Sequence, residues 1–363
     1  MTNYKNFKYR LYPTQSQERQ MLKIIEYCRH WYNMCIDERR WAWEAEGRSV
    51  SKFDQYKTAI HYRHTFQLKG LIYSSVLRDV CNTMDEAFKA FFRRVKAGDK
   101  AGFPRYKSRK HFDGFGFPQF DGFKIDGRRL RLYGVGRVRV RWHRPIEGKI
   151  KTLRVFRRAN QWFAVFTAEV VVPEPLPKTH RAIGIDVGVT ALITTSDGDK
   201  VTNPNYYHKS QKQLRILNRS LARKQRGGKN RRKALLRLQR HQTHIANQRS
   251  DFLSKLSREL ILKYDLIALE DLKIGNMVRN THLSKSILDS GWGQFKSYLA
   301  VKAIDTGRQI VFVNPKYTSK TCSNCGAIFE KLTLKDRWVM CECGLSLDRD
   351  HNAAINILNR ALT

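Results

Sequence analysis

The sequence is short of acidic residues. Asp and Glu together number 32 against 69 Lys and Arg, which gives a formal net charge of +37. The deficit is sharpest in residues 201–250, which contain 14 Lys or Arg and no acid. A chain at this charge repels itself unless a polyanion neutralises it, and nucleic acid is the polyanion we expect because phosphate contacts release condensed counterions. A general basic surface and a membrane-surface protein are the alternatives.

Cysteine and long apolar runs are also scarce. The seven cysteines are few and clustered, which argues against a disulfide framework and favours a reducing, cytoplasmic protein. No apolar run approaches the roughly 18 residues of a membrane helix, so no membrane partner is expected. Residues 1–12 alternate basic and apolar side chains and lack the apolar stretch of a secretory signal. Three cysteines on apolar faces are predicted to be ordinary buried thiols: Cys28, Cys35 and Cys81.

At 363 residues the chain is too long for one compact core, so we expect two or three folded units. Residues 4–12 alternate as a half-buried strand does, and Thr14 to Gln17 forms a capping-box pattern that begins a helix. A second amphipathic helix is predicted over Ser74 to Lys96. From about Lys124 to Val172 the period switches to two, which predicts an antiparallel sheet or small barrel. The outer face of that sheet is strongly basic, which favours contact with a phosphate backbone over a merely solvated face.

The second half of the chain begins with a proline-rich segment. Pro173, Pro175 and Pro177 predict a stiff linker and a domain boundary. Residues 201–250 have helical periodicity broken at Gly227-Gly228, which predicts a helical hairpin with a basic outer surface. Six leucines give this stretch its helical periodicity, and the hairpin is expected to have one packed seam: Leu214, Leu217, Leu221, Leu235, Leu236 and Leu238.

Three apolar segments each deliver an acid. Asp186 follows Ile-Gly-Ile, Glu270 follows Leu-Ile-Ala-Leu, and Asp350 opens a short helix through Ile357. Phosphodiester cleavage needs divalent metals, typically in pairs, and Mg²⁺ prefers carboxylate oxygens. Any one of these acids could be a turn residue or a helix cap. Taken together in a basic chain, they predict a Mg²⁺ site, with Asp348 as an alternative third ligand.

Four further cysteines lie in two close pairs. Cys322 and Cys325 form a Cys-x-x-Cys pair, Cys341 and Cys343 form a Cys-x-Cys pair, and fifteen residues separate the two pairs. Four thiolates with this spacing are typical of a structural, tetrahedral Zn²⁺ site, and a glycine follows each pair to permit a tight turn. A redox pair is the alternative, but nothing else in the sequence suggests a thioredoxin-like unit.

These segments resemble the TnpB family, transposon-encoded proteins related to the type V CRISPR effector nucleases. The matching motifs are IGIDVGVT (183–190), LEDLKIGNM (269–277), DSGWGQF (289–295), YTSKTCSNCG (317–326) and DRDHNAAINIL (348–358), with FFRRVKAGDKAGFPRYK (91–107) and QRSDFLSKLSREL (248–260) also similar. They occur in the family's order over nearly the whole chain. One departure is the second cysteine pair, which is usually Cys-x-x-Cys in the family.

The resemblance implies a multidomain α+β chain. Its domains are a wedge β-barrel (1–13 and 103–177), a helical recognition insert (14–102), a split RuvC-like nuclease of RNase-H fold (178–316 and 346–363) and a zinc finger (317–345) inserted in the nuclease. The resemblance also implies that Asp186, Glu270 and Asp350 are the catalytic, metal-binding triad. The family's Asp-x-Asn-Ala-Ala signature aligns at Asp350 rather than at Asp348.

The function implied is RNA-guided, two-metal cleavage of double-stranded DNA beside a short adjacent motif, with a guide RNA made from the transposon end. A guided repressor that does not cut, and an unguided nuclease or transposition accessory, are alternatives; the complete set of acids argues against the repressor. By resemblance, the helix beginning near Ser74 reads the adjacent motif, and Ser74 and Arg78 share one of its faces. In the alternative, Ser74 caps the helix and Arg78 pairs with Asp79 or Asn82. Two more basic residues of this helix, Arg93 and Arg94, are candidate nucleic-acid contacts.

Overall fold

The computed structural model describes residues 2–333 and 336–363, and the chain divides into two compact units, residues 1–172 and 173–363. The division falls at Pro173, where the proline-rich segment begins. Each unit has its own sheet and its own hydrophobic core.

The first unit contains seven strands and three helices. They are β1 (Thr2–Tyr12), α1 (Gln15–Glu46), α2 (Lys52–Thr65), α3 (Ser74–Lys96), β2 (Gly114–Phe117), β3 (Phe123–Asp126), β4 (Arg129–Leu132), β5 (Gly136–Arg141), β6 (Lys149–Arg158) and β7 (Gln161–Val171). The predicted capping box is confirmed at α1: the Gln17 backbone N–H donates to Thr14 Oγ1 over 3.3 Å, and the Thr14 N–H donates to Gln17 Oε1 over 3.0 Å. The helix predicted from Ser74 to Lys96 is also confirmed, with the same bounds.

The sheet of the first unit is antiparallel throughout, in the order β2-β6-β7-β1-β5-β4-β3. The N-terminal strand β1 therefore lies at its centre. The sheet curls so that its two edge strands approach each other. The rings of Phe117 on β2 and Phe123 on β3 lie 5.5 Å apart. Phe123 also lies 6.2 Å from Phe166 on β7, across the interior. The sheet is thus a nearly closed barrel with a filled interior.

One hydrophobic core joins the three helices to the sheet. Tyr9 of β1, Trp31 of α1 and Leu77 of α3 are all buried in it. The helices predicted as an insert between β1 and the later strands thus pack onto the barrel instead of forming a separate core. Three cysteines predicted to be buried thiols lie in this core: Cys28, Cys35 and Cys81. The outer face of the sheet is basic, as expected, since its exposed residues include Arg131, Arg137, Arg139 and Arg141.

The second unit contains seven strands and six helices within the described residues. They are β8 (Ala182–Val187), β9 (Ala191–Thr195), β10 (Lys200–Thr202), α4 (Tyr206–Ala222), α5 (Lys229–Lys263), β11 (Leu266–Glu270), α6 (Ile274–Met277), α7 (Ser284–Ser290), α8 (Trp292–Thr306), β12 (Gln309–Val313), β13 (Trp338–Met340), β14 (Ser346–Asp348) and α9 (Arg349–Leu362). The main sheet has the order β10-β9-β8-β11-β12. Strands β10, β9 and β8 are antiparallel, whereas β8, β11 and β12 are parallel.

Helices cover both faces of this sheet. Ile185 and Leu269 point into a core shared with α5 and α8, whereas Ala268 points to the opposite face and packs with Ile357 of α9. Gly184 lets α9 approach β8 closely: a Cβ there would lie 2.1 Å from the backbone oxygen of Ala354, on α9. Any other residue at position 184 would push the helix off the strand.

The predicted helical hairpin is present as α4 and α5, which are joined around Gly227-Gly228. Its seam contains Leu214 and Leu238, whereas Leu235 is 41% exposed. The inward stripe of α5 runs instead through Ala234 and Leu238, four residues apart, and Leu235 lies about 100° round the helix from Ala234. Within residues 2–333 and 336–363, no helix combines the length and the apolarity required to cross a bilayer.

Candidate metal centres and nucleic-acid surfaces

Two of the predicted acids end neighbouring parallel strands. Ile185 on β8 pairs in register with Leu269 on β11, so Asp186 and Glu270 follow at equivalent positions on the two strands. Side chains alternate between the faces of a sheet, and Gly184 and Ala268 face α9. Asp186 and Glu270 therefore lie on the face of the sheet that α9 covers.

The third acid, Asp350, lies in the first turn of α9. Burial, followed by the negative charges of Glu270 and Asp350, raises the pKa of Asp186 well above its usual range. Asp186 is thus near enough to Glu270 and to Asp350 to be repelled by both carboxylates. Asp350 also has a cation beside it, because Arg349 Nη2 lies 3.3 Å from its Oδ1.

The side chain of Glu270 accepts a hydrogen bond from a hydroxyl group. The residue is only 9% exposed, and Thr318 Oγ1 donates a hydrogen bond to Glu270 Oε1. Burial raises the pKa of Glu270, and the Thr318 hydrogen bond and the positive charges of Lys296 and Arg360 oppose that rise. The backbone oxygen of Glu270 also accepts a hydrogen bond from Lys296 Nζ. The carboxylate is therefore fixed in orientation, and among the residues that the structure describes no Lys, Arg or His forms a direct ion pair with it.

Two asparagines that sequence reasoning missed tie α9 to the segment that carries Thr318. Asn356 Nδ2 donates to the backbone oxygens of Thr318 over 2.8 Å and of Thr321 over 2.6 Å. Asn352 Nδ2 donates to Thr321 O over 2.8 Å, and Asn352 Oδ1 accepts from the Ser323 N–H over 2.9 Å. The available signal was two asparagines four residues apart on the apolar face of a predicted helix, where a buried amide needs partners.

Asp348 has a structural role of its own. It is the N-cap of α9, and its Oδ1 accepts hydrogen bonds from the backbone N–H groups of Asp350 and His351, each over 3.1 Å. Its Oδ2 lies 2.7 Å from Lys200 Nζ. Burial alone would raise the pKa of Asp348, but the Lys200 ion pair and the cap hydrogen bonds lower it. Both carboxylate oxygens of Asp348, the alternative third metal ligand, therefore already have partners within the protein.

The four cysteines of the predicted zinc site converge. Their Sγ atoms all lie within 4.8 Å of one another, with Cys322 and Cys343 at 3.6 Å and Cys325 and Cys341 at 3.5 Å. Zn–S bonds of about 2.3 Å in a tetrahedron place sulfurs about 3.8 Å apart, so this donor set fits zinc. The glycines after the pairs, at positions 326 and 344, have φ of 81° and 89°, which permits the tight turns. The shortened second pair still closes the site. Residues 334 and 335 of the predicted finger lie outside the described residues.

We expect the purified protein to contain one zinc ion per chain, measured by elemental mass spectrometry. A Cys322→Ser, Cys341→Ser double variant should contain none and should be less soluble, because two remaining thiolates cannot complete a tetrahedral site. Cys28→Ala, which removes a thiol from the first unit, is the matched control and should keep its zinc. Zinc-free wild-type protein prepared without chelators would contradict the assignment.

Ser74 and Arg78 lie at the N-terminal end of α3. Tyr73 is the N-cap and no side chain caps the helix, so the alternative prediction that Ser74 caps it is wrong. Arg78 pairs with Asp121, at 3.9 Å, instead of with Asp79 or Asn82. That partner is 43 residues away in the sequence, which local reasoning could not supply.

Ser74 and Arg78 line one groove of about 400 Å³, together with Lys57 and Arg63 of α2. The other two candidate contacts, Arg93 and Arg94, are exposed at the opposite end of α3. Nineteen residues separate Ser74 from Arg93, which is roughly 28 Å along a helix. The structure thus divides the four candidates between two surfaces.

Three family models match segments of the chain. A model described as "Probable transposase" matches residues 165–281, one described as "Cas12f1-like, TNB domain" matches residues 292–357, and one described as "Helix-turn-helix domain" matches residues 1–48. Residues 2–46 contain β1 and the single helix α1. The second helix, α2, therefore lies outside residues 1–48, which the helix-turn-helix model matches.

Two curated relatives match almost end to end. A protein of Streptomyces pristinaespiralis is 34% identical over 363 residues, covering 98% of this chain and 89% of that protein. InsQ of Escherichia coli K12 is 30% identical over 378 residues, covering 99% of this chain and 92% of that protein. Both are named "Putative RNA-guided DNA endonuclease". Three proteins of Acanthamoeba polyphaga mimivirus, each named TnpB-like, are 28% identical over 219 residues.

A solved structure shares the fold over the whole chain. The cryo-EM structure of a Cas12f1–sgRNA–target DNA complex covers 99% of this chain and 99% of its own, with a TM-score of 0.62 and 14% sequence identity. At that identity, the likeness establishes a common architecture and nothing about chemistry.

Proposed function

This chain belongs to the TnpB family, and on that premise we propose that it is an RNA-guided endonuclease that cuts DNA beside a short adjacent motif. The guide is an RNA derived from a transposon end, and the target is double-stranded DNA. Base pairing with the guide selects the target, while the protein recognises the adjacent motif and the shape of the hybrid.

The observation that carries the proposal is that Asp186 and Glu270 lie at the C-terminal ends of adjacent parallel strands, with Asp350, in the first turn of α9, near enough for its charge to act on Asp186. A sheet of three antiparallel strands extended by two parallel strands supports a RuvC-like RNase-H fold, whose active site lies at these strand ends. We assign these three residues as the catalytic triad.

The same acids are suited to Mg²⁺. Hard oxygen donors are what this cation prefers, and the repulsion that Glu270 and Asp350 exert on Asp186 is relieved when a cation lies beside these carboxylates. Bound as a pair, the ions would activate the attacking water and stabilise the leaving oxygen. The protein's own part is to orient the ligands: Thr318 fixes the carboxylate of Glu270, and Asp348 caps the helix that presents Asp350.

The basic surfaces are suited to binding nucleic acid. Helix α4 and the part of α5 up to residue 250 lie in the acid-free stretch of the sequence, and β4 and β5 expose arginines on the outer face of the barrel. Cations distributed along such faces neutralise phosphates without regard to sequence, which suits a hybrid whose sequence is set by the guide. We propose that these faces bind the guide RNA and its hybrid with the target strand.

Sequencing the RNA that copurifies with the protein tests the proposal most directly. We expect one short RNA with a constant transposon-end segment and a variable guide. Replacing the guide should redirect Mg²⁺-dependent cleavage to the matching DNA. Guided binding without cutting would identify a repressor, whereas cutting that continues after the RNA is removed would identify an unguided nuclease.

Arg78→Ala is expected to change the preferred adjacent motif. Arg78 and Ser74 lie four residues apart in one groove, and an arginine that contacts guanine with two hydrogen bonds contributes about 1–3 kcal/mol of discrimination. A motif-depletion assay should therefore show weaker selection at one base position. Arg93→Ala, at the other end of α3, is the control and should alter only the salt dependence of binding. An unchanged motif in Arg78→Ala, with a shift in salt sensitivity alone, would make Arg78 a phosphate contact.

A further inference from the structure

A pocket lined by aromatic rings lies between the C-terminal halves of α1 and α3, away from the groove of Ser74 and Arg78. Its volume is about 580 Å³. The aromatic residues that line it are Trp43, Phe88, Phe91, Phe92 and Phe103. Nothing in the proposed nuclease chemistry uses this pocket.

The rings form an ordered wall with an exposed rim. Phe103 lies edge-on to Phe88 at 5.2 Å and to Phe91 at 5.6 Å. Trp43 and Phe92 remain 66% and 59% exposed. Large aromatic side chains left exposed around a concavity are typical of a binding site, because a ligand that covers them removes apolar surface from water.

Two guanidinium groups stack on this wall. Arg39 lies 4.9 Å above the ring of Phe88 and is fixed by Asp85, at 3.0 Å, and by Gln55, at 3.1 Å. Arg40 lies 5.3 Å above the ring of Phe103. Alternating planar rings and planar cations are the surface on which nucleobases stack in proteins that bind single strands.

Three exposed cations lie next to this wall along α3. Arg93, Arg94 and Lys96 follow the lining residue Phe92 without lining the pocket themselves, and within residues 2–333 and 336–363 none of them forms a salt bridge. Free cations beside an aromatic pocket provide for the phosphate that accompanies a base. An uncharged peptide would leave these cations without a matching group.

We propose that this pocket binds an unpaired nucleobase, stacked against Trp43 and Phe92, with its phosphate held by Arg93 or Arg94. The inference rests on the proposed function in that it takes the ligand to be nucleic acid. The base must be unpaired, because a base within a duplex has both faces covered by its neighbours. A planar base with its phosphate is common to RNA and DNA, so the experiment must identify the strand.

The test uses the full chain and two single-stranded oligonucleotides of one sequence, one RNA and one DNA, with affinity measured by fluorescence anisotropy. Trp43→Ala and Phe92→Ala should each weaken binding of one strand by about 5–10-fold, the loss of one stacking contact. Trp41→Ala is the matched control: Trp41 lies on the same helix and is 60% exposed, but it does not line the pocket. The control should stay within about two-fold of the wild type. Ultraviolet cross-linking to the preferred strand should recover the peptides that contain Trp43 or Phe92.

Equal losses in Trp41→Ala and Trp43→Ala, or no loss in either pocket variant at an unchanged melting temperature, would overturn the proposal. So would a wild-type dimer without nucleic acid that Trp43→Ala converts to a monomer, since the pocket would then be a protein interface. If the pocket variants bind normally while guided cutting persists, only the pocket assignment fails. If the wild type binds neither strand, the proposed function fails as well.

Discussion

Asp186→Ala protein should bind its guided DNA target normally and fail to cut it. The carboxylate lies on the α9 face of the sheet beside Glu270, where it is placed to hold a divalent cation. Losing a ligand for metal ions that stabilise the transition state by several kcal/mol should lower the cleavage rate by roughly a thousand-fold or more. Binding depends instead on cations spread over other surfaces, so affinity should stay within about two-fold. Plasmid cleavage rates and gel-shift affinities, measured on the same preparations, test the loss of cutting and the unchanged binding.

Asp350→Ala and Asp348→Ala together test which of these two acids is the third metal ligand. Asp350→Ala should eliminate cutting as Asp186→Ala does. Asp348→Ala should instead lower the melting temperature, because removing an N-cap costs about 1 kcal/mol, while cutting continues below that temperature. If Asp348→Ala eliminates cutting and Asp350→Ala does not, the third ligand is Asp348. Wild-type cutting in all of Asp186→Ala, Glu270→Ala and Asp350→Ala would refute the RuvC assignment.

Sequence reasoning succeeded where the signal was local. The capping box of Thr14 and Gln17 is formed by residues three apart, and the helix from Ser74 to Lys96 has a regular apolar face between clear end signals. The two cysteine pairs also have local geometry, since each lies in one tight turn, and their convergence follows if one ion binds both.

What the sequence could not supply was partners distant along the chain. The strand ends at Asp186 and Glu270 are visible in the sequence, but their common face depends on the register of Ile185 with Leu269 and on the approach that Gly184 permits. Asp121, the partner of Arg78, is equally distant. The sequence also does not decide which leucines of α5 face the seam: Leu235 is exposed, and a run of leucines does not fix the rotation of a helix, because several neighbouring stripes are apolar.

Asn356 is expected to matter to catalysis although it does not contact the carboxylates. Its amide holds the backbone of Thr318, whose hydroxyl donates to Glu270, and of Thr321, which directly precedes the first zinc-site cysteine. Residues that orient metal ligands typically contribute 10–100-fold to metal affinity or activity. We therefore expect Asn356→Ala to cut about 10–100-fold more slowly and to need more Mg²⁺ for half-maximal cutting.

Thr318→Val tests the same series of hydrogen bonds at the residue that contacts Glu270 directly. It removes the hydroxyl that Glu270 accepts from, so it should shift the Mg²⁺ dependence in the same direction while its zinc content stays at one per chain. Asn359→Ala is the matched control, because Asn359 lies one turn further along α9 and is exposed; its cutting and Mg²⁺ dependence should equal those of the wild type. Asn356→Ala also leaves the Thr318 carbonyl without its amide partner, at a cost of about 1–3 kcal/mol, so cutting must be compared well below its melting temperature. A variant that is slow only near that temperature, with an unchanged Mg²⁺ dependence, would show that Asn356 stabilises the fold and does not position Glu270.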